Sequence, residues 1–490
     1  AGPARVRSAA PPAAAPDGRS KVLMLSDPFA LFKFRQTHER FRARYNRRVR
    51  RIAWFSPLSP SRSGVAAYTE EIVPRLRSHH HIDVYDQQRA HDFVWQHHRQ
   101  PYDLIVYQFG NSPAHDHAWA YVTRYPGLVV LHDAQLHQSR ALQLLRDHRE
   151  SAYRAELAFS HPDVPAGVAD LVIAGLGGSL FFLWPLLRPV IETARLVGVH
   201  DPHLAAWLER QFPTIPVSVI SMGVGPVATT SADARRIRGR HRIPDDAVVF
   251  ACVGLVTRGK RVNEILEAFV RVVRYRPNIR LMFVGDQLGD IDPLTEARAL
   301  GLSDHVIVTG YVGDDELASH LAAADACLCL RWPSAHETSA AWLRCLAAGR
   351  PTVITDLAMT ADVPRIDART WLEIATRRKD GTAQEPMCVS VGILDEIRSI
   401  ELALAHLASD RALRERLGRN ARDWWSRHHT LEKMELEYEA TIDRAMKSPA
   451  PTAAGLPPHF REDYSDLTRR ILSDFGLDPA ELFANRQQVS

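Results

Sequence analysis

Residues 247–261 read AVVFACVGLVTRGKR, and this stretch decides the fold. Seven apolar residues run unbroken to Gly254. A short loop with Arg258, Lys260 and Arg261 follows, and then a helical pattern, VNEILEAFVRVVRY (262–275). A continuous apolar run this short, closed by Gly, predicts a strand buried on both faces of a parallel sheet. The same rhythm recurs downstream in RLMFVGD (280–286), HVIVTGY (305–311), ACLCLRW (326–332) and PTVITD (351–356), with the helix-like DELASHLAAA (315–324) between. It recurs upstream in IAWF (52–55), IDVY (82–85), DLIVYQF (103–109) and LVVLHD (128–133). Two sets of strand–helix units imply two doubly wound α/β domains, joined near VISMGVGP (219–226). The organisation expected is a disordered tail (1–20), a basic segment (21–51), a first Rossmann-like domain (52–225), a second (226–430), and C-terminal helices with a tail (431–490).

The chain has 490 residues, 46% of them hydrophobic and 24% charged, which suits a soluble globular protein and excludes a wholly disordered one. Its net charge is +4, but residues 1–51 hold thirteen Lys/Arg against Asp17, Asp27 and Glu39, or +10, so the rest sums to about −6. That distribution argues against nucleic acid as the partner of the whole chain. It leaves an anionic partner for KFRQTHERFRARYNRRVRR (33–51): anionic membrane or an acceptor phosphate. Five dispersed cysteines without a CxxC pair predict a reducing, cytoplasmic setting, peripheral to the inner face of the membrane if the basic segment binds lipid. The most apolar segment, LVIAGLGGSLFFLWPLLR (171–188), is interrupted by Gly and Pro and reads as a buried helix pair. The pairs His97-His98 and His428-His429, and His79 to His81, read as exposed. Asp290-Ile291-Asp292 is a DxD, yet no metal site is expected. Cys327 and Cys329 share one face of a strand and read as core.

Candidate chemistry gathers where strands end. Ser63-Gly64 opens the helix after IAWF, and a Gly at a helix N-terminus lets backbone N–H groups meet a phosphate. Arg258 and Lys260 crowd the loop after Gly254, cations suited to a diphosphate. In PSAHETSAAWLRCLAAGRP (333–351), Thr338, Ser339 and Ala340 offer helix-start N–H groups beside Glu337, a carboxylate suited to sugar hydroxyls. Gln108, Asn111 and His115 follow DLIVYQF and are candidates for acceptor contacts.

With these residues in place the chain resembles the family 4 glycosyltransferases of the GT-B type, two Rossmann-like domains facing a donor cleft. The resemblance rests on SGVAAY (63–68), VVLHD (129–133), VISMGV (219–224), VGLVTRGKR (253–261), LMFVGD (281–286), HVIVTGYV (305–312), HETSAAWLRCLAAGRPTVITD (336–356) and LGRNARDWW (417–425). It implies transfer, with retention, of a sugar from a UDP- or GDP-linked donor to a saccharide or lipid-linked acceptor, without a further cofactor. It implies that Gly64, Arg258, Lys260 and residues 338–340 face the donor diphosphate, and that His132 lies at the reacting centre. Glu337 would bind the sugar, and Gly285, Gly310, Tyr311, Val312 and Arg344 would bind base and ribose. Two departures stand out. Leu255 occupies the place of an Arg of the family, and Cys345, or Arg344 if one residue is deleted, the place of its second Glu. The alternatives are a degenerate, transferase-like binding or scaffold protein and a nucleotide-sugar epimerase or phosphorylase on the same fold.

Overall fold

The structure is a computed structural model that describes residues 49–478 except 62, 290, 378–380, 452–454 and 463–465. The expected tail 1–20, the basic segment up to residue 48, Asp290 and the end beyond 478 lie outside the described residues.

The apolar runs form two sheets. In the first, β1 (Arg51–Phe55), β2 (His81–Tyr85), β3 (Leu104–Phe109), β4 (Leu128–Leu131), β5 (Leu196–Val199) and β6 (Val217–Val219) lie in the order β2-β1-β3-β4-β5-β6, all parallel. The second holds β7 (Val248–Val253), β8 (Ile279–Val284), β9 (Val306–Val308), β10 (Ala326–Cys329), β11 (Thr352–Thr355), β12 (Arg365–Asp367) and β13 (Glu373–Ile374). A further hairpin, β14 (Thr376–Arg377) with β15 (Ala383–Gln384), precedes β16 (Cys388–Val391). The second sheet's order is β13-β12-β16-β11-β10-β7-β8-β9, parallel except at β13. All residues of β3 and β4, and all but the first of β7, are buried, which is why these strands read as unbroken apolar runs rather than as alternation. The order in which strands are added reverses between β1 and β3 in the first sheet and between β7 and β10 in the second. A doubly wound sheet opens its ligand crevice at those points, outside the carboxyl ends of the strands.

Five helices position the site. α1 (Gly64–Leu76) buries Tyr68, Thr69, Ile72 and Leu76 on the first sheet. α2 (Val262–Val273) buries Ile265, Leu266, Phe269 and Val272, a helical spacing. α3 (Ala340–Ala347) follows β10, and α4 (Arg411–His428) packs on α3. α5 (Leu431–Lys447), in the stretch expected as C-terminal helices, packs on the first lobe, where Tyr438 lies 5.4 Å from the Trp54 ring and Arg75 donates to Glu432 (2.8 Å) and Glu435 (3.2 Å). The chain therefore crosses between lobes twice, and the crossings touch: Val224 N–H donates to His429 O (3.0 Å) and Trp425 Nε1–H to Val224 O (3.2 Å).

Two expectations are corrected. The segment 171–188 is not a buried pair. Its helices Gly167–Ile173 and Leu180–Leu183 are short, and Leu171, Leu176 and Leu183 are 43%, 65% and 66% exposed. Gly175 and Gly178, at φ +80° and +40°, turn the chain between them before a buried helix can form. Among the described residues, no helix is long and apolar enough to cross a membrane. His80 and His429 are not exposed either: His80 meets Glu439 across 3.2 Å, and His429 Nδ1 lies 3.0 Å from Met222 O. Both partners come from the other side of a lobe crossing, which is invisible locally.

Candidate functional site

The reversal points of the two sheets face one cavity of about 680 Å³. From the first lobe, α1 presents its N-terminus. Ser63 caps it by accepting from Ala66 N–H (3.1 Å), and open space surrounds the Cα of Gly64. From the second lobe, β7 ends at Gly254 (φ +90°) and β8 at Gly285 (φ +150°). A Cβ on Gly285 would stand 2.4 Å from the backbone Gly254 O, so that position excludes a side chain, and at Gly254 the positive φ disfavours one, with Lys260 Nζ 2.9 Å from where its Cβ would stand. That close approach seats Lys260 against the strand end, where Nζ donates to Val253 O at 2.6 Å. Burial, with the Arg331 guanidinium adding repulsion, brings the Lys260 ammonium down to about 8.

Between β10 and α3 the chain turns through Arg331 to Ser339. Glu337 is held on every side: Arg331 donates to Oε1, and Ser334 Oγ (3.0 Å) and Ala335 N–H (2.6 Å) donate to Oε2. Ser339 caps α3 by accepting from Trp342 N–H (3.3 Å). Thr338, Ser339 and Ala340 line the same cavity as Gly64, so two helix N-termini from opposite lobes open into it.

At the end of β4, His132 and Asp133 enter the cavity wall. Asp133 was missed as a site residue in the sequence, although it stands in VVLHD. It accepts Asn111 N–H (2.7 Å), and burial, reinforced by the nearby Glu337 charge, raises its carboxyl to about 6. His132 Nδ1 lies 3.3 Å from His200 Nε2, and His200 Nδ1 lies 2.8 Å from Ile220 O. Burial pushes His132 well down, with the neighbouring His200 and His115 adding to it, and brings His200 to about 4, so both rings are neutral. His132 Nε2 lies 2.7 Å from Gln108 Oε1. An acceptor at each end of this chain would demand three protons, and two neutral rings carry two. Turning the Gln108 amide supplies the third from its NH₂ group. Its oxygen then accepts from Tyr438 O–H, whose own oxygen accepts from Tyr68 O–H (2.6 Å). Both nitrogens of His132 are thereby engaged, which fits it to shape and orient the centre rather than to take a proton.

The structure thus brings most of the sequence-predicted residues to one cavity. Gly64, Lys260, Glu337 and residues 338–340 line it with His132, and so do Gly285, Tyr311 and Val312. Asn111 and His115 line it too, His115 Nδ1 lying 2.8 Å from Gln108 O. Gln108 does not; it is buried behind the wall in the hydrogen-bond chain. Arg258 and Gly310 also lie outside the lining. Cys345 is fully buried, so the position of the family's second Glu faces the core, and Arg344 is engaged by Glu71 (3.1 Å) and Asp314 (3.8 Å). Among the described residues, no group of three or more His, Cys, Asp or Glu side chains is placed to hold a metal ion.

Comparison with solved structures agrees with this fold. Sucrose-phosphate synthase from Thermosynechococcus elongatus superposes with a TM-score of 0.58 at 15% identity, over 82% of this chain and 100% of the other. The fold is GT-B. The Anabaena protein HepE, solved with UDP and glucose, gives 0.54 at 15% identity over 80% and 99% of the two chains. WaaG, a glycosyltransferase involved in lipopolysaccharide biosynthesis, gives 0.53 at 15% identity over 79% and 98%. Within this GT-B chain, residues 247–384 match the model of the glycosyl transferases group 1 family. That span carries Gly254, Lys260, Gly285 and Glu337, the second lobe's share of the cavity. No curated protein matches the chain in sequence.

Proposed function

We propose that the protein is a glycosyltransferase of family 4 type, which moves a sugar from a nucleoside-diphosphate donor onto a saccharide or lipid-linked acceptor with retention of configuration. The observation that carries this reading is the convergence of half-buried Lys260, two helix N-termini and the fixed carboxylate of Glu337 on one cavity between the lobes. Cations and N–H groups suit a diphosphate, and an immobilised carboxylate suits sugar hydroxyls. The group 1 match over 247–384 and a GT-B neighbour solved with UDP and glucose support it.

In this reading the acceptor oxygen attacks the anomeric carbon as its bond to the leaving phosphate breaks. The diphosphate takes the bonding pair and the acceptor's proton. Lys260 and the N-termini of α1 and α3 neutralise the charge as it develops, which is electrostatic catalysis by groups already in place. Glu337 holds the sugar, and His132, fixed through Gln108 and His200, bounds the reacting face. UDP-glucose turnover, measured as UDP release with a panel of saccharide and lipid-linked acceptors, tests the proposal. Glu337→Ala should abolish turnover while UDP still binds; turnover equal to that of the parent protein would refute it.

A second reading, a binding protein on the GT-B fold, is favoured by one specific observation. α3 offers no carboxylate to a ribose, since Cys345 is buried and Arg344 is paired with Glu71. UDP binding without turnover of any nucleotide sugar would decide for it.

A further inference from the structure

A second cavity, of about 860 Å³, borders the same Arg331–Ser339 segment and is bounded by the ends of β5 and β6, by β11 and by the end of α4. Its body is apolar, with Trp342, Ile354, Val363 and Trp424 among the walls. Three cations, Arg331, Arg377 and Arg427, also line it. The carboxylates in its wall are already committed. Asp201 accepts from His203 N–H (3.1 Å) and Leu204 N–H (2.9 Å), Asp362 lies 2.9 Å from His203 Nε2, and Glu337 is held by Arg331. Arg377, by contrast, donates to a backbone carbonyl, Gly381 O at 3.1 Å.

We propose that this cavity is a binding site separate from the donor cavity, for an amphiphilic anion: an apolar ring or chain carrying one phosphate or carboxylate. The aromatic and aliphatic walls, Trp424 among them, take the apolar body, and Arg377 takes the head. The two cavities share Arg331, Glu337, Thr338 and Ser339 as lining. An occupant therefore touches residues that also line the first cavity. Any effect it has on nucleotide affinity is matched by an equal effect of nucleotide on its own.

Calorimetric titration of the full chain with 1-naphthyl phosphate tests the site without relying on turnover. One molecule should bind, with and without saturating UDP, while 1-naphthol and inorganic phosphate bind at least about tenfold more weakly. Arg377→Glu and Trp424→Ala should each weaken naphthyl phosphate at least about tenfold and leave UDP affinity within about twofold. Arg377 is exposed on a hairpin, so its variant serves even if Trp424→Ala fails to fold. Absence of binding, displacement of the probe by UDP, or undiminished affinity in Arg377→Glu would each overturn the proposal.

Discussion

Arg344 Nη2 lies 3.1 Å from Glu71 Oε1, so an ion pair joins α3 of the second lobe to α1 of the first at the rim of the cavity between them. Burial lifts the Glu71 carboxyl above its usual range even though Arg344 pulls it the other way. The pair is thus partly desolvated, and its two members act on each other more strongly than on water. A double-mutant cycle with Glu71→Gln and Arg344→Gln, read by urea unfolding, should give a coupling of about 0.5–2 kcal/mol. The same Arg344→Gln variant should keep UDP affinity within about threefold, because its guanidinium is occupied by carboxylates. A much larger loss would return Arg344 to the nucleotide contacts expected from the sequence.

If the proposed donor site is right, Lys260 gives it a pH dependence with a defined sign. Its ammonium, ordinarily near 10.5, falls to about 8 in the unliganded protein because it is buried. Between about 8 and 10.5 the unfolded chain binds the proton and the native protein does not, so stability rises with pH through that window. Diphosphate binding has the opposite dependence, since it requires the charged form. UDP affinity should fall steadily above pH 8, with proton uptake on binding visible when calorimetry is repeated in buffers of different ionisation enthalpy. Lys260→Arg should flatten the profile, as a guanidinium stays charged throughout. Lys260→Ala should lower turnover by roughly 10²–10³, the scale of losing one charge-stabilising donor.

The second lobe's part of this site was legible because it is local. Gly254 and Lys260 stand six residues apart in one loop, and Glu337 reaches the backbone of Ala335 two residues away. The continuous apolar runs likewise declared buried parallel strands. What sequence could not show is pairing across the lobe crossings. Tyr438 and Tyr68 share a hydrogen bond across 370 residues, Arg344 and Glu71 across 273, and His80 and Glu439 across 359. The apolar segment around Leu176 and Leu183 misled for a related reason: hydrophobicity says that a residue can be buried, and only the path of the chain says whether it is.

Asp133 should destabilise the protein at neutral pH. Its carboxyl, ordinarily near 3.8, is raised to about 6, chiefly by burial and then by Glu337. Below 3.8 both native and unfolded chains are protonated and the effect vanishes. As pH rises through 4–6 the unfolded chain ionises first and gains relative to the native state. The shift corresponds to on the order of 2–3 kcal/mol above pH 6. Asp133→Asn keeps an oxygen for Asn111 N–H and removes the charge. Its melting temperature should exceed that of the parent protein at pH 7 and converge with it near pH 3.5. Equal melting temperatures at pH 7 would show that Asp133 is solvated or paired in solution.

The hydrogen-bond chain through His132 predicts a positioning role for His200, which does not line the donor cavity. Ile220 O fixes the proton of His200 on Nδ1, which leaves Nε2 to accept from His132 Nδ1–H. His200→Ala removes that acceptor and frees the His132 ring to rotate or change tautomer. His200→Asn keeps a short polar group but not the reach. Both variants should lower kcat with little change in KM for the donor, His200→Ala by about 10–100-fold, the scale seen when a misoriented group is only slightly displaced. A tautomer change has a signature that mere loss of packing lacks. In ¹⁵N-labelled protein the His132 ring nitrogens should report a proton on Nδ1 in the parent, and that pattern should be lost in His200→Ala while the backbone spectrum of the second lobe is retained. Retained Nδ1 protonation together with full kcat would remove His200 from the site and leave its bond to His132 as packing alone.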